Sequence, residues 1–251
     1  MKLIASWGSP SAGKTTLALA VAAQLIQRRK DVLVISMDTR TPMLPIYLPN
    51  AKTDRNNSLG GIFEQEITEA ALKDKLLPHP QSDRLYFMGY TAGELYGITY
   101  RIPDRAAIQH LFDVLQQSPF THCIVDCASS PVLEPMTLLA LERADVVLRS
   151  ITPDVRGHES MAAQLQWLSN SDDTFRISRH IPILNPVYPH TPLVDVQALE
   201  GNDAVALPWA KQVAERQLAG KLLSHFDGRD AAEFERKIAQ LVDQIEEESH
   251  A

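Results

Sequence analysis

The segment "SWGSPSAGKTTLALAVA", Ser6 to Ala22, constrains the fold of this chain more than any other. It fits the spacing G-x-x-x-x-G-K-[ST], with Gly8, Gly13, Lys14 and Thr15 in the required places. A short apolar run, Lys2 to Trp7, precedes it and reads as a buried strand. A helix-forming run from Thr15 to Arg29 follows, with Leu17, Ala20, Val21 and Leu25 on one face. Strand, glycine-flanked loop and helix in this order turn backbone N–H groups inward. They also aim the positive end of the helix at the same point, which suits a chain of phosphates. Gly8, Ser9, Ser11, Ala12, Gly13, Lys14, Thr15 and Thr16 are therefore the expected nucleotide-binding residues. Lys14 is expected at the β and γ phosphates, and the Thr15 hydroxyl on Mg²⁺. The loop interior reads Ser9-Pro10-Ser11-Ala12 where further glycines could stand.

The rest of the chain repeats the alternation. Strands are expected at Asp31 to Asp38, Arg84 to Tyr90, His122 to Pro131, Asp145 to Thr152, His180 to Val187 and Ala204 to Pro208. Helical patterns separate most of them, around Gly61 to Lys75, Asp104 to Gln117, Val132 to Glu142, Gly157 to Ser169 and Trp209 to Ala219. Apolar strands alternating with helices predict a doubly wound, mostly parallel sheet with helices on both faces. Arg40 to Gly61, rich in proline and turn formers, reads as a long surface excursion. Met88 to Gly97 reads as a strand running into a Gly-rich turn. From Asp230 onward, Phe234, Ile238, Leu241 and Ile245 share one face of a terminal helix whose polar face is mainly acidic. That pattern suits packing on the domain and not a basic membrane anchor.

A chain of 251 residues, 45% hydrophobic and 22% charged, is long enough for one large α/β domain spanning 1–251. Its 24 Lys and Arg stand against 31 Asp and Glu, a net charge of −7 that disfavours a surface built to neutralise nucleic-acid phosphates. No apolar run approaches the ~20 residues of a membrane-spanning helix. The two cysteines, Cys123 and Cys127, read as packed thiols rather than ligands, and a reducing cytoplasm is the expected compartment. "QRRKD" from Gln27 marks the exposed end of the first helix, where cations suit the dipole.

Mg²⁺ keeps most of its waters and takes a carboxylate from the end of a neighbouring apolar strand. Asp126, closing "CIVD", is the expected metal-side residue, directly or through water. Asp38, closing "VISMD", is the expected residue that orients or activates the attacking water. Each could also be a turn-forming or capping Asp. Two carboxylates ending two strands of one sheet strengthen the functional reading, since ligands bind outside those ends.

The chain resembles the ParA/MinD group of P-loop ATPases, which includes the CpaE and TadZ proteins of pilus assembly. "GSPSAGKTT" stands where that family has its phosphate loop, and "VLVISMDTR" where it has an apolar strand ending Asp-x-Asp. "CIVDCASSP", "ADVVLRSITPDVRGHES", "ILNPVYP" and "LPWAKQVAERQLAGK" resemble its later strand ends. The resemblance implies that Asn185 reads the adenine base and that Pro208 lies in the loop beside it. It also implies ATP and Mg²⁺ as ligands, weak ATPase activity, a nucleotide-dependent homodimer and an unidentified protein partner. Two departures stand out. The lysine that reaches the partner's nucleotide in the family is Ser9 here, and the first Asp of Asp-x-Asp is Ser36. A cation supplied in trans can be worth ~10³-fold in rate, so Ser9 bears directly on dimerisation and turnover. Arg40, Arg149 and Arg156 are the other cations near strand ends.

The expectation is an ATP-binding, slowly hydrolysing molecular switch that positions a partner assembly, with the CpaE/TadZ branch favoured by the acidic charge. Recruitment to a cell pole or membrane apparatus would come through the partner, and no specific nucleic acid is expected. A nucleotide-binding scaffold with negligible turnover is the alternative. A small-molecule kinase or ligase would need a substrate pocket that the sequence does not display.

Overall fold

The computed structural model describes residues 1–38, 40–94, 97–171, 176–201 and 203–247. Residues 95 and 96 of the Gly-rich turn after Met88 thus lie outside the described residues. Eight strands are described: β1 (Lys2–Gly8), β2 (Val32–Ser36), β3 (Leu77–Pro78), β4 (Leu85–Met88), β5 (His122–Asp126), β6 (Val146–Ile151), β7 (His180–Val187) and β8 (Val205–Pro208). They form one sheet in the order β3-β4-β2-β5-β1-β6-β7-β8, all parallel except the short β3, which runs antiparallel to β4. The helices are α1 (Lys14–Gln27), α2 (Leu44–Tyr47), α3 (Glu69–Lys73), α4 (Arg105–Gln116), α5 (Pro135–Arg143), α6 (Val155–Ser171), α7 (Leu193–Glu200), α8 (Lys211–Leu218) and α9 (Arg229–Glu247).

Side-chain alternation along the strands sorts the core onto two faces. Leu3, Ala5 and Trp7 of β1 join Leu33 and Ile35 of β2 under α4, α5 and α6. Ile4, Val32 and Val34 face the other way, under α1, α8 and α9. Both faces are covered, which is why the strands read as continuous apolar runs. The terminal helix packs as its periodicity predicts: Phe234, Ile238, Leu241 and Ile245 are all buried. Its acidic face is not idle, for Asp243 pairs with Arg28 at 2.7 Å and Glu246 with Lys30 at 2.8 Å. Glu246 also meets the ring of His122 at 2.7 Å, and the Lys2 ammonium reaches the Ile245 carbonyl. The basic run at the end of α1 therefore docks the last helix.

Two expectations need correction, and two elements were not anticipated. The long helix expected from Gly61 to Lys75 is a 3₁₀ segment, Leu59–Glu64, followed by the short α3. Gly60 and Gly61 weaken a helix there, and Thr68 caps a new start through a bond from the Ala71 amide. Strand β3 and helix α7 carry no pattern long enough to have been read. The Arg40–Gly61 excursion is no mere surface loop: Leu44, Tyr47, Leu48 and Leu59 are buried, the first three against the α1 side of the sheet.

The strand order sets up the site. β5 lies between β2 and β1, and β6 lies on the far side of β1, so the carboxyl ends of all four meet around the loop that follows β1. Connections leave in opposite directions from this point, which opens a crevice there.

Candidate nucleotide-binding site

The loop from Gly8 to Lys14 is held by its neighbours. Gly8 leaves β1 with φ of 157°, and a Cβ there would lie 1.7 Å from the Ser150 carbonyl oxygen on β6. Only glycine permits that approach. The Ser9 amide donates to the Ser150 carbonyl at 3.0 Å, and the Ser9 hydroxyl accepts from the Thr152 amide at 3.0 Å. Ser11 and Gly13 are left-handed, with φ of 61° and 68°. Asn185 of β7 donates its side-chain N–H to the Ala12 carbonyl at 2.9 Å, and the Ser150 hydroxyl donates to that same oxygen. Helix α1 starts at Lys14 without a side-chain cap. Its first-turn amides have no intrahelical acceptor, and an anion is the partner that satisfies them.

The charged groups converge on this helix start. The Lys14 ammonium spans the loop, donating to the Ser9 carbonyl at 3.2 Å and to the Ser129 hydroxyl at 2.6 Å. Burial lowers its pKa, against the pull of Asp126 and Asp38. The Thr15 hydroxyl donates to Asp126 Oδ2 at 2.7 Å, and the Tyr47 hydroxyl donates to the same oxygen at 2.7 Å. Burial pushes the Asp126 carboxyl up to about 6, although the bonds from Tyr47 and Thr15 and the charge of Lys14 oppose it. A buried carboxylate of this kind gains from a divalent cation beside it. Asp38 is positioned differently: its Oδ1 accepts the amides of Arg40 at 2.9 Å and Thr41 at 3.1 Å in a turn just beyond β2.

Two clefts share the loop. One, of about 360 Å³, is lined by Lys14, Thr15, Asp38, Asp126, Thr41 and Gln217 among others and is shaped for phosphates. The other, of about 220 Å³, is lined by Asn185, Pro208, Tyr188, Trp209, Val213 and Phe234 and is largely apolar, as a base requires. Ser11, Gly13, Thr16 and Gln217 border both. A triphosphate with Mg²⁺ fits this donor set: uncapped amides, the Lys14 ammonium, the Thr15 hydroxyl and the Asp38 and Asp126 carboxylates around a single cleft.

Most of the expected residues come together here, with refinements. Ser9 and Ala12 are fully buried, and their amides bond within the protein, Ser9 to the Ser150 carbonyl and Ala12 to the Ser9 carbonyl, so neither of these expected residues lines the clefts. The Thr16 hydroxyl donates to Gln217 of α8 at 2.6 Å. Asn185 spends its amide donor on the loop, which leaves its oxygen as the group that meets a base edge. Arg149 is not at the cleft; it is buried beside Glu200 at 3.7 Å. Arg40 pairs with the buried Glu134 at 3.1 Å, joining the loop after β2 to the loop after β5. Arg156 is exposed on the first turn of α6. Cys123 and Cys127 are free, buried thiols, pushed upward in pKa by that burial. Tyr47, Gln217 and the Tyr188–Trp209 pair, whose stacked rings lie 5.9 Å apart, were not legible as site residues. Only the adjacency of Trp209 to Pro208 offered a signal.

No family model and no curated protein matches the chain. Its structural neighbours are ParA and MinD ATPases. A ParA family ATPase from Chlorobium tepidum TLS superposes with a TM-score of 0.75 at 15% identity, over 96% of this chain and 99% of that one. MinD in the MinC:MinD cell division complex of Aquifex aeolicus gives 0.73 at 14% identity, over 97% and 96%. The septum site-determining protein MinD of Pyrococcus horikoshii OT3, complexed with Mg-ADP, gives 0.72 at 16% identity, over 98% of each. The chain has the ParA/MinD fold of P-loop ATPases.

Proposed function

We propose that the chain is an ATP-dependent positioning switch of the ParA/MinD kind, built as one domain over 1–251. The observation that carries this reading is the Thr15–Asp126 hydrogen bond at 2.7 Å, set beside the uncapped start of α1 with Lys14 across the loop. In this reading Lys14 binds the β and γ phosphates, while Thr15 and Asp126 hold Mg²⁺. Asp38 orients the attacking water, and the Asn185 oxygen accepts the exocyclic amine of adenine. ATP and Mg²⁺ are the ligands, as Mg-ADP is in the Pyrococcus neighbour. The Aquifex MinD neighbour is seen with a protein partner, MinC. Here the net charge of −7 favours a protein assembly, such as a pilus, secretion or conjugation apparatus, over DNA. We place the protein in the cytoplasm as a nucleotide-dependent homodimer; no described helix is long and apolar enough to cross a membrane.

One observation favours the quieter alternative, a nucleotide-binding scaffold with negligible turnover. Ser9, fully buried, supplies no cation that could reach a second subunit. Steady-state phosphate release by the native chain, Lys14→Ala and Asp38→Ala separates the two readings. Release well above both variants supports the switch, and equal background in all three leaves the scaffold. Native mass measured with ADP and with a non-hydrolysable ATP analogue tests the dimer.

A further inference from the structure

We propose that Tyr47 is a positioning residue of the metal site, fixing the Asp126 carboxylate for the cation and linking helix α2 to its arrival. The inference rests on the reading of Asp126 as the metal-side carboxylate given above. Tyr47 is 2% exposed and Asp126 3%, and their 2.7 Å contact joins residues 79 apart in sequence. The Thr15 hydroxyl takes the same oxygen, Oδ2, also at 2.7 Å. Two O–H donors on one carboxylate oxygen fix its plane and leave Oδ1 to accept a water of the metal. Such outer partners orient metal ligands as closely as the ligands orient the metal.

The surroundings of Tyr47 are built for this one hydroxyl. Its ring stacks on Phe87 of β4, centroids 5.0 Å apart and planes 25° from parallel, so the phenol cannot swing freely. Ser36 is the register partner of Asp126 across the β2–β5 ladder and is fully buried. A carboxylate at that position would repel Asp126 and compete for the phenol proton. Serine, small and uncharged, is compatible with both. The departure at Ser36 and the intrusion of Tyr47 thus form one arrangement. Tyr47 also ends α2, whose Ile46 lines the phosphate cleft on one side. On the other, Pro45 and Ile46 border an apolar groove of about 540 Å³ against Ala214 and Leu218 of α8. Any shift of the carboxylate toward a cation is therefore felt by α2.

The test is the Mg²⁺ dependence of ADP binding, measured by calorimetry on the full chain. Tyr47→Phe keeps the stack and removes only the hydroxyl. It is expected to raise the Mg²⁺ concentration at half-effect by about tenfold, with affinity for metal-free ADP unchanged. In an Asp126→Asn background the same substitution is expected to change nothing further, which a merely structural role would not produce. Equal Mg²⁺ dependence in native and Tyr47→Phe chains overturns the inference and leaves the nucleotide site standing. Failure of the native chain to bind Mg-ADP overturns both. Hydrogen exchange on the native chain needs no substitution: the amides of Tyr47, the last residue of α2, and of Leu48, which caps it, should exchange at different rates with ADP alone and with Mg-ADP. Identical rates would sink the link to α2.

Discussion

The Ser9 hydroxyl accepts a hydrogen bond from the Thr152 amide at 3.0 Å, so the side chain that opens the loop points into the sheet and ties β1 to the end of β6. Where the resemblance implies a lysine reaching out to a second subunit, this chain has an internal fastener. Ser9→Ala should leave the Thr152 amide short of its acceptor and lower stability by about 1–2 kcal/mol. Ser9→Lys should destabilise at least as much, because a cation would be forced toward a buried position. Urea midpoints read both effects, and a lysine variant as stable as the native chain would show that the position can turn outward.

Gly8→Ala tests the close approach of the loop to β6. A Cβ placed 1.7 Å from the Ser150 carbonyl oxygen cannot be accommodated without moving backbone. Loss of cooperative melting, or a fall in Tm of about 5–10 °C, on the order of 2–3 kcal/mol, is expected. Native-like melting would place the loop farther from β6 than described.

Lys14→Ala removes the ammonium that spans the loop at 3.2 Å from the Ser9 carbonyl. The variant should fold, since the partly buried cation is itself costly to desolvate, yet its affinity for ATP should fall by roughly tenfold or more. Calorimetry or nucleotide-dependent thermal shift measures it. Unchanged affinity would remove Lys14 from the phosphate site.

Asn185→Ala should weaken two properties at once. The loop loses the 2.9 Å bond to the Ala12 carbonyl, and the base pocket loses a side-chain oxygen suited to an exocyclic amine. Guanine presents a carbonyl where adenine presents that amine, so the native chain should prefer ATP to GTP. The variant should narrow the preference by about tenfold. Competition binding with the two nucleotides decides it.

Mild acid should loosen the sheet in two stages. Burial, with Arg149 nearby, holds His180 down to about 3, below its usual 6.5. Between those values the unfolded chain binds a proton that the folded chain refuses, so stability falls as pH drops from 6.5. Glu246, partly exposed, is lowered to about 2: burial opposes the shift, but hydrogen bonds from Lys30 and His122 outweigh it. Its contribution is present above 4.5 and is lost as pH falls toward 2. His79 and His122, also lowered by burial, add to the upper stage, so His180→Phe should make that stage shallower without touching the lower one, as seen in urea midpoints against pH.

Local pattern alone defined the loop, the apolar strands that flank it, the carboxylates at Asp38 and Asp126, and the apolar face of the terminal helix. Each of these is encoded within a few residues by spacing or periodicity. The phosphate loop announces itself because its glycines and lysine are contiguous. Asp126 does so because the three residues before it, Cys123, Ile124 and Val125, are apolar. What could not be read there depends on strand order and on residues far apart in the chain. Tyr47 looked like part of a surface excursion, because nothing in Arg40 to Gly61 says that Phe87 and Asp126 will meet it. Ser9 offered a missing charge in the sequence, and only β6 beside β1 turned it into a bond that holds the loop. Asn185 reached the loop through the β6–β7 pairing, which spent its donor and left its acceptor. The physical reason is common to all three: a hydrogen bond across the sheet is fixed by which strand ends lie side by side, and side-chain periodicity along one strand carries no information about its neighbour.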